Sequence, residues 1–225
     1  KKPYDFLMEN IVKMPQSSFA LEFGNIIHDA LKLISRGQAK LEDYTDEDET
    51  KSIKNGLDAL EKMKNDHPGC KLKETEYGVK LPVKLLTDYN KADLMFTGKI
   101  DAVFEHDDGI ILVDYKTSKG TDNVSVYKRQ LAVYKKMYSE IKNIAEEKIK
   151  TCVIFVALRG GINTGKWDYS IEYGGTRNVF ETFEKHLQIV LDWKKDPEKF
   201  IEKLIEQDTE GSLHEVIKNK LMDNK

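Results

Sequence analysis

Apolar residues recur at helical spacing near the start of the chain. Phe19, Phe23, Ile26, Ile27, Ala30, Leu33 and Ile34 form one stripe, which predicts an amphipathic helix. Gln16-Ser17-Ser18 offers its N-cap, with Glu22 in capping-box range and Gly37 as the stop. A second stripe, Ile53, Leu57, Leu60 and Met63, predicts a helix from about Asp46 to Asn65. The acidic run from Asp46 to Glu49 suits a helix start, where negative charge meets the positive end of the dipole. His67-Pro68-Gly69 then breaks the chain.

Beyond that break the period falls from 3.6 to 2. Residues 72–81 alternate imperfectly and meet Pro82, the pattern of an edge strand, with 83–86 continuing the pairing and a turn at Tyr89-Asn90-Lys91. Gly98 to Ser118 reads as two strands folded on a tight turn at His106-Asp107-Asp108-Gly109, where Asp-Gly supplies the positive φ of a hairpin. Ile110 to Val113 is β-branched and apolar, which predicts burial on both faces. A helix follows, capped by Thr121 or Asn123 and carrying Val126, Leu131, Val133, Met137 and Ile141. Then come a buried strand at 148–158, an alternating strand from Trp167 to Tyr173, a helix at 177–196 and a helical segment after Pro197. This order predicts an α/β fold, a central mixed β-sheet flanked by α-helices. The expectation is a single domain over 1–225, with a core at about 17–195 and a C-terminal helical appendage at about 196–225.

Composition narrows the function. The 225 residues carry a net charge of −3, so any nucleic-acid surface is a local patch and not a global basic field. Cys70 and Cys152 lack the spacing of a zinc site or disulfide framework and suit a reducing compartment, with Cys152 a small buried residue. No apolar run spans a membrane and no signal peptide is visible. His67, His186 and His214 lack partners in sequence and read as surface residues.

Candidate chemistry gathers on the hairpin. Asp101 interrupts the apolar run of the first strand, and the second ends in Asp114-Tyr115-Lys116. Asp114 and Lys116, two apart, share a face. One reading is a buried salt bridge ending a strand. The other is metal-assisted phosphodiester hydrolysis, with hard carboxylate oxygens for a divalent cation and an ammonium beside the attacked phosphate. On the first helix Gly24 and His28 lie one turn apart. His28 is either a hydrogen-bonded histidine at the edge of the core or a neutral imidazole ligand. Gln130 and Tyr134 share a face of a locally basic helix, where they are surface decoration or contacts for a phosphate or a base. Glu74 and Glu76 are the solvent face of an edge strand or further carboxylates near the site.

Gly24-x-x-x-His28, Gly98-Lys99-Ile100-Asp101, Asp114-Tyr115-Lys116 and Gln130-x-x-x-Tyr134 resemble, in order and spacing, the successive motifs of the RecB-like branch of the PD-(D/E)XK nucleases. The resemblance covers roughly residues 17–160. It implies a restriction-endonuclease-like core and a DNA exonuclease, of phage or recombination and repair type, that uses Mg²⁺ or Mn²⁺. It implies metal ligation by His28, Asp101, Asp114 and the main-chain carbonyl of Tyr115. Lys116 would orient or help deprotonate the attacking water, while Gln130 and Tyr134 organise the site and touch DNA. Glu76 matches an acidic position of the family only loosely. The family often has Glu where this chain has Asp114. The two cysteines are too few for the iron–sulfur cluster of some relatives. The implied partners are DNA and a recombinase, single-strand annealing protein or helicase. An oligomer is compatible, and the implied compartment is the cytoplasm of a bacterium or of a phage-infected cell. The alternatives are a nuclease module of a helicase complex and a DNA-binding domain that keeps the fold without cleaving.

Overall fold

The computed structural model describes residues 19–85, 94–118, 124–156 and 176–206. They fall into two compact units, one within Ser17–Val179 and one within Phe180–Lys225. Among the described residues, the first unit has helix α1 (Phe19–Ser35), helix α2 (Glu47–Asp66), strands β1 (Lys71–Pro82), β2 (Met95–His106) and β3 (Gly109–Lys116), helix α3 (Val124–Lys142) and strand β4 (Ile149–Phe155).

The helices begin and end for local reasons. Gly37, at φ 70°, closes α1 in a Schellman turn: its N–H donates to Ile34 O at 2.9 Å and that of Gln38 to Leu33 O at 2.8 Å. Asp46 caps α2, its Oδ1 accepting from the Glu49 N–H at 3.0 Å.

The sheet is mixed, in the order β1-β2-β3-β4. Both β1–β2 and β2–β3 are antiparallel, and β3–β4 is parallel. Helices α1 and α2 cover one face, where Ile27, Leu31, Ile53, Leu60 and Met63 pack on Phe104, Ile111, Val113, Cys152 and Ile154. Helix α3 lies on the other, bringing Tyr138 against Tyr77 and Tyr127 against Phe155. Strand β3 is buried on both faces, as its β-branched run predicts.

Two local expectations are corrected. Residues 83–85 turn into a short 3-10 helix instead of prolonging the strand, and the Val83 N–H still reaches across to Leu94 O at 2.9 Å. The hairpin turn centres on Asp107 and Asp108, neither of which has positive φ. Gly109, which follows them, takes the positive φ, at 158°, and a Cβ there would also lie 2.0 Å from the Lys148 carbonyl oxygen. His67 is also not a plain surface residue. It is half-buried, with its ring centroid 5.0 Å from that of His106 and its Nδ1 3.0 Å from Met63 O. The predicted turn at 89–91, the caps at Thr121 and Asn123, the strand at 167–173 and His214 lie outside the described residues.

The second unit contains helix α4 (Thr176–Lys195) from Phe180 onward, and helix α5 (Pro197–Glu206). Asp196 caps α5 by accepting from the Lys199 N–H at 3.0 Å, and Trp193 meets Phe200 edge-on at 5.9 Å. Among the described helices none is long and apolar enough to cross a membrane.

Candidate active site

A fork in the sheet makes the site. Pairing between β2 and β3 ends at Ala102 opposite Val113. Strand β2 continues beside β1 as far as Met95, while β3 continues beside β4 as far as Lys116. Asp101 and Asp114 are the first residues past the point where the two strands part. The free N–H of Tyr115, which has lost its antiparallel partner, donates to Asp101 Oδ2 at 2.8 Å.

The β1–β2 ribbon also turns over at this point. Ala102 and Phe104 belong to the core under α1 and α2. Tyr77, paired with Ile100, instead meets Tyr138 of α3, and Gly98 faces Tyr134 of α3. Alternate residues of a flat strand share one face, so the ribbon rotates between Ala102 and Ile100. Opposite Asp101, between the pairs Thr75–Ala102 and Tyr77–Ile100, stands Glu76 with φ 54°. A non-glycine residue in the left-handed region is uncommon and costs conformational energy. Here it accompanies the rotation that leaves Asp101 at the fork.

Four elements bring their side chains to this opening. From α1, His28 Nδ1 lies 3.5 Å from Asp101 Oδ1, and its ring meets Tyr115 edge-on at 5.9 Å. From β3, Lys116 Nζ lies 2.7 Å from Asp114 Oδ2. At that distance the ammonium both pairs with the buried carboxylate and donates to it. From α3, Gln130 Oε1 accepts from Lys116 Nζ at 3.5 Å, and Gln130 Nε2 donates to the Tyr134 hydroxyl at 3.1 Å. Tyr134 fills the space beside Gly98, where a Cβ would come within 2.5 Å of its Cε1. On α1, a Cβ at Gly24 would come within 3.2 Å of Thr117 Oγ1. Both glycines of the sequence motifs are thus close approaches. Glu76 is turned to Lys99, at 2.7 Å.

The electrostatics follow from burial. Asp114 is only 4% exposed. Its pKa rises from 3.8 to about 6, because burial penalises the carboxylate; Lys116 opposes the rise and the charge of Asp101 adds to it. His28 is displaced upwards as well. Burial works against its charged form, but the hydrogen bond and charge of Asp101, with a further pull from Asp114, outweigh it. The Tyr115 phenol is pushed far above its ordinary range by burial and by Asp101, so it serves as a neutral core side chain. Its main chain is what reaches the fork.

The sequence-predicted residues His28, Asp101, Asp114, Tyr115, Lys116, Gln130 and Tyr134 are therefore neighbours, drawn from positions more than 100 apart in the chain. A family model for the PD-(D/E)XK nuclease superfamily matches residues 3–208.

The chain belongs to the PD-(D/E)XK nuclease superfamily.

It is accordingly a nuclease domain, a hydrolase with nucleic acid as its substrate. No curated protein matches the chain. Nucleases of this superfamily use divalent metals, and the donor set at the fork has the right chemistry: two carboxylates and an imidazole, one of the carboxylates buried. Among the described residues no three such side chains already form a closed cage. Asp101 is held by His28 and the Tyr115 N–H, and Asp114 by Lys116. One neighbour of Lys116 escaped the sequence reading. Tyr127, one turn before Gln130 on the same face of α3, lays its ring against Lys116, with Nζ 4.8 Å from the centroid. The signal was an aromatic residue at i−3 from Gln130 and i−7 from Tyr134.

Proposed function

We propose that this domain is a metal-dependent deoxyribonuclease of the RecB-like branch, an exonuclease of phage or recombination and repair type. The observation that carries the reading is the fork itself. It presents Asp101 and Asp114 beside a lysine that ends β3 and is held by Gln130 of the helix above.

His28, Asp101, Asp114 and the main-chain carbonyl of Tyr115 would hold Mg²⁺ or Mn²⁺. When bound, such an ion polarises a phosphoryl oxygen and lowers the pKa of water at the site. The remaining work falls to the chain. Lys116 presents a positive charge where negative charge accumulates on the attacked phosphate, and it orients the incoming water. The Tyr115 N–H keeps Asp101 turned into the opening. Gln130 and Tyr134 stand on the side of α3, from which a phosphate or base is contacted. DNA is the partner implied. A recombinase, an annealing protein or a helicase, and an oligomeric assembly, belong to the same proposal.

The test is incubation with linear and covalently closed circular DNA in Mg²⁺, in Mn²⁺ and in EDTA. Degradation of linear DNA alone, lost in EDTA and in Lys116→Ala, is the expected result. Cutting of closed circles would make the protein an endonuclease. Binding without cleavage under every metal would overturn the catalytic reading in favour of a DNA-binding domain.

A further inference from the structure

Tyr127 has no part in the proposal above, yet it touches the residue at its centre. The ammonium of Lys116 stands 4.8 Å from the centroid of the Tyr127 ring, within the range of a cation–π contact. The ring is fixed from behind. Its centroid lies 6.0 Å from that of Phe155, at 53°, and Phe155 is buried directly across the parallel ladder from Lys116. The strand that carries the ammonium is therefore paired with the strand that supports the ring.

The other two contacts of Lys116 leave a need for it. Asp114 Oδ2, at 2.7 Å, is a full opposite charge and neutralises the ammonium it holds. Gln130 Oε1, at 3.5 Å, is a long and weak acceptor. Lysine carries its charge on a flexible four-carbon stem, so one ion pair and one long hydrogen bond leave the direction of the ammonium loosely set. The face of an aromatic ring attracts a cation without cancelling its charge. It adds an anchor and leaves the ammonium able to act on a phosphate.

Resting on the nuclease reading, we propose that Tyr127 is a positioning residue that holds the Lys116 ammonium in place through its ring face. The ring, and not the hydroxyl, does this.

Two measurements test it. With linear duplex DNA and Mg²⁺, Tyr127→Phe keeps wild-type kcat, while Tyr127→Leu loses kcat about tenfold with KM and Tm nearly unchanged. Tyr127→Met replaces Tyr127→Leu should the latter fail to fold. In the metal-free protein, an amine-acylating reagent labels Lys116 several-fold faster in Tyr127→Leu than in wild type or Tyr127→Phe, read by mass spectrometry. Wild-type kcat in Tyr127→Leu, equal damage from Phe and Leu, or unchanged labelling would each overturn the inference. A wild-type protein that degrades no DNA sinks the nuclease reading instead, and the labelling contrast still decides whether the ring holds the ammonium.

Discussion

Asp101 Oδ2 accepts the backbone N–H of Tyr115 at 2.8 Å, in place of the strand partner that this N–H loses where β2 and β3 part. One carboxylate thus closes a broken ladder and faces the site. The two roles separate by substitution. Asp101→Asn keeps an acceptor for the N–H and should unfold at nearly the wild-type denaturant midpoint, with DNA degradation abolished. Asp101→Ala leaves the N–H unsatisfied and should lose about 1–3 kcal/mol as well. Equal stability of the two variants would show that the hydrogen bond does not hold the fork.

Asp114 sets a pH dependence of stability. Its pKa rises from the ordinary 3.8 to about 6 in the fold, so between those values the native state binds the proton more tightly than the unfolded chain. Stability is greatest below pH 4 on this account and falls as pH rises through 6. The cost of ionisation is on the order of 3 kcal/mol. His28, raised above 6.5 in the fold, continues the same downward slope at higher pH. In metal-free protein, Asp114→Asn should therefore gain on the wild type as pH increases from 4 to 8. A constant difference between the two across that range, by chemical denaturation, would contradict the assignment.

The same charges predict a response to metal. A divalent cation that binds the folded site and not the unfolded chain raises Tm by mass action. Mn²⁺ should raise the Tm of the wild type. The rise should be largely absent in Asp101→Asn and reduced in His28→Ala, as followed by calorimetry with EDTA as reference.

Gly98 and Gly78 make a matched pair on the β1–β2 ribbon, one register position apart, with Gly98 opposite Val79 and Gly78 opposite Lys99. A Cβ at Gly98 would come 2.5 Å from the ring of Tyr134, whereas nothing lies within 4 Å of one at Gly78. Gly98→Ala should cost about 1–3 kcal/mol and displace the Gln130–Tyr134 pair, lowering activity. Gly78→Ala should change stability by less than about 0.5 kcal/mol. Denaturation midpoints of the two variants measure the contrast directly.

Much of this was written in local pattern. The stripe from Phe19 to Ile34 with Gly37 after it, the acidic start of α2, the β-branched run of β3 and the breaks at Pro68 and Pro82 each encode their element within a few residues, because side-chain period, caps and backbone restrictions act over a turn or two. The motifs His28, Asp101, Asp114-Tyr115-Lys116 and Gln130-Tyr134 could be picked out for the same reason: each is a short spacing on one predicted element. What joins them is not local. The parting of β2 from β3 after Ala102, the rotation of the ribbon at Glu76 and the seating of Tyr127 between Lys116 and Phe155 depend on which strands pair, in what register, and on what packs across them. Register and packing are long-range choices made by the whole core. The sequence therefore determined the parts of the site, and tertiary structure alone decided the fork at which they meet and the ring that steadies its lysine.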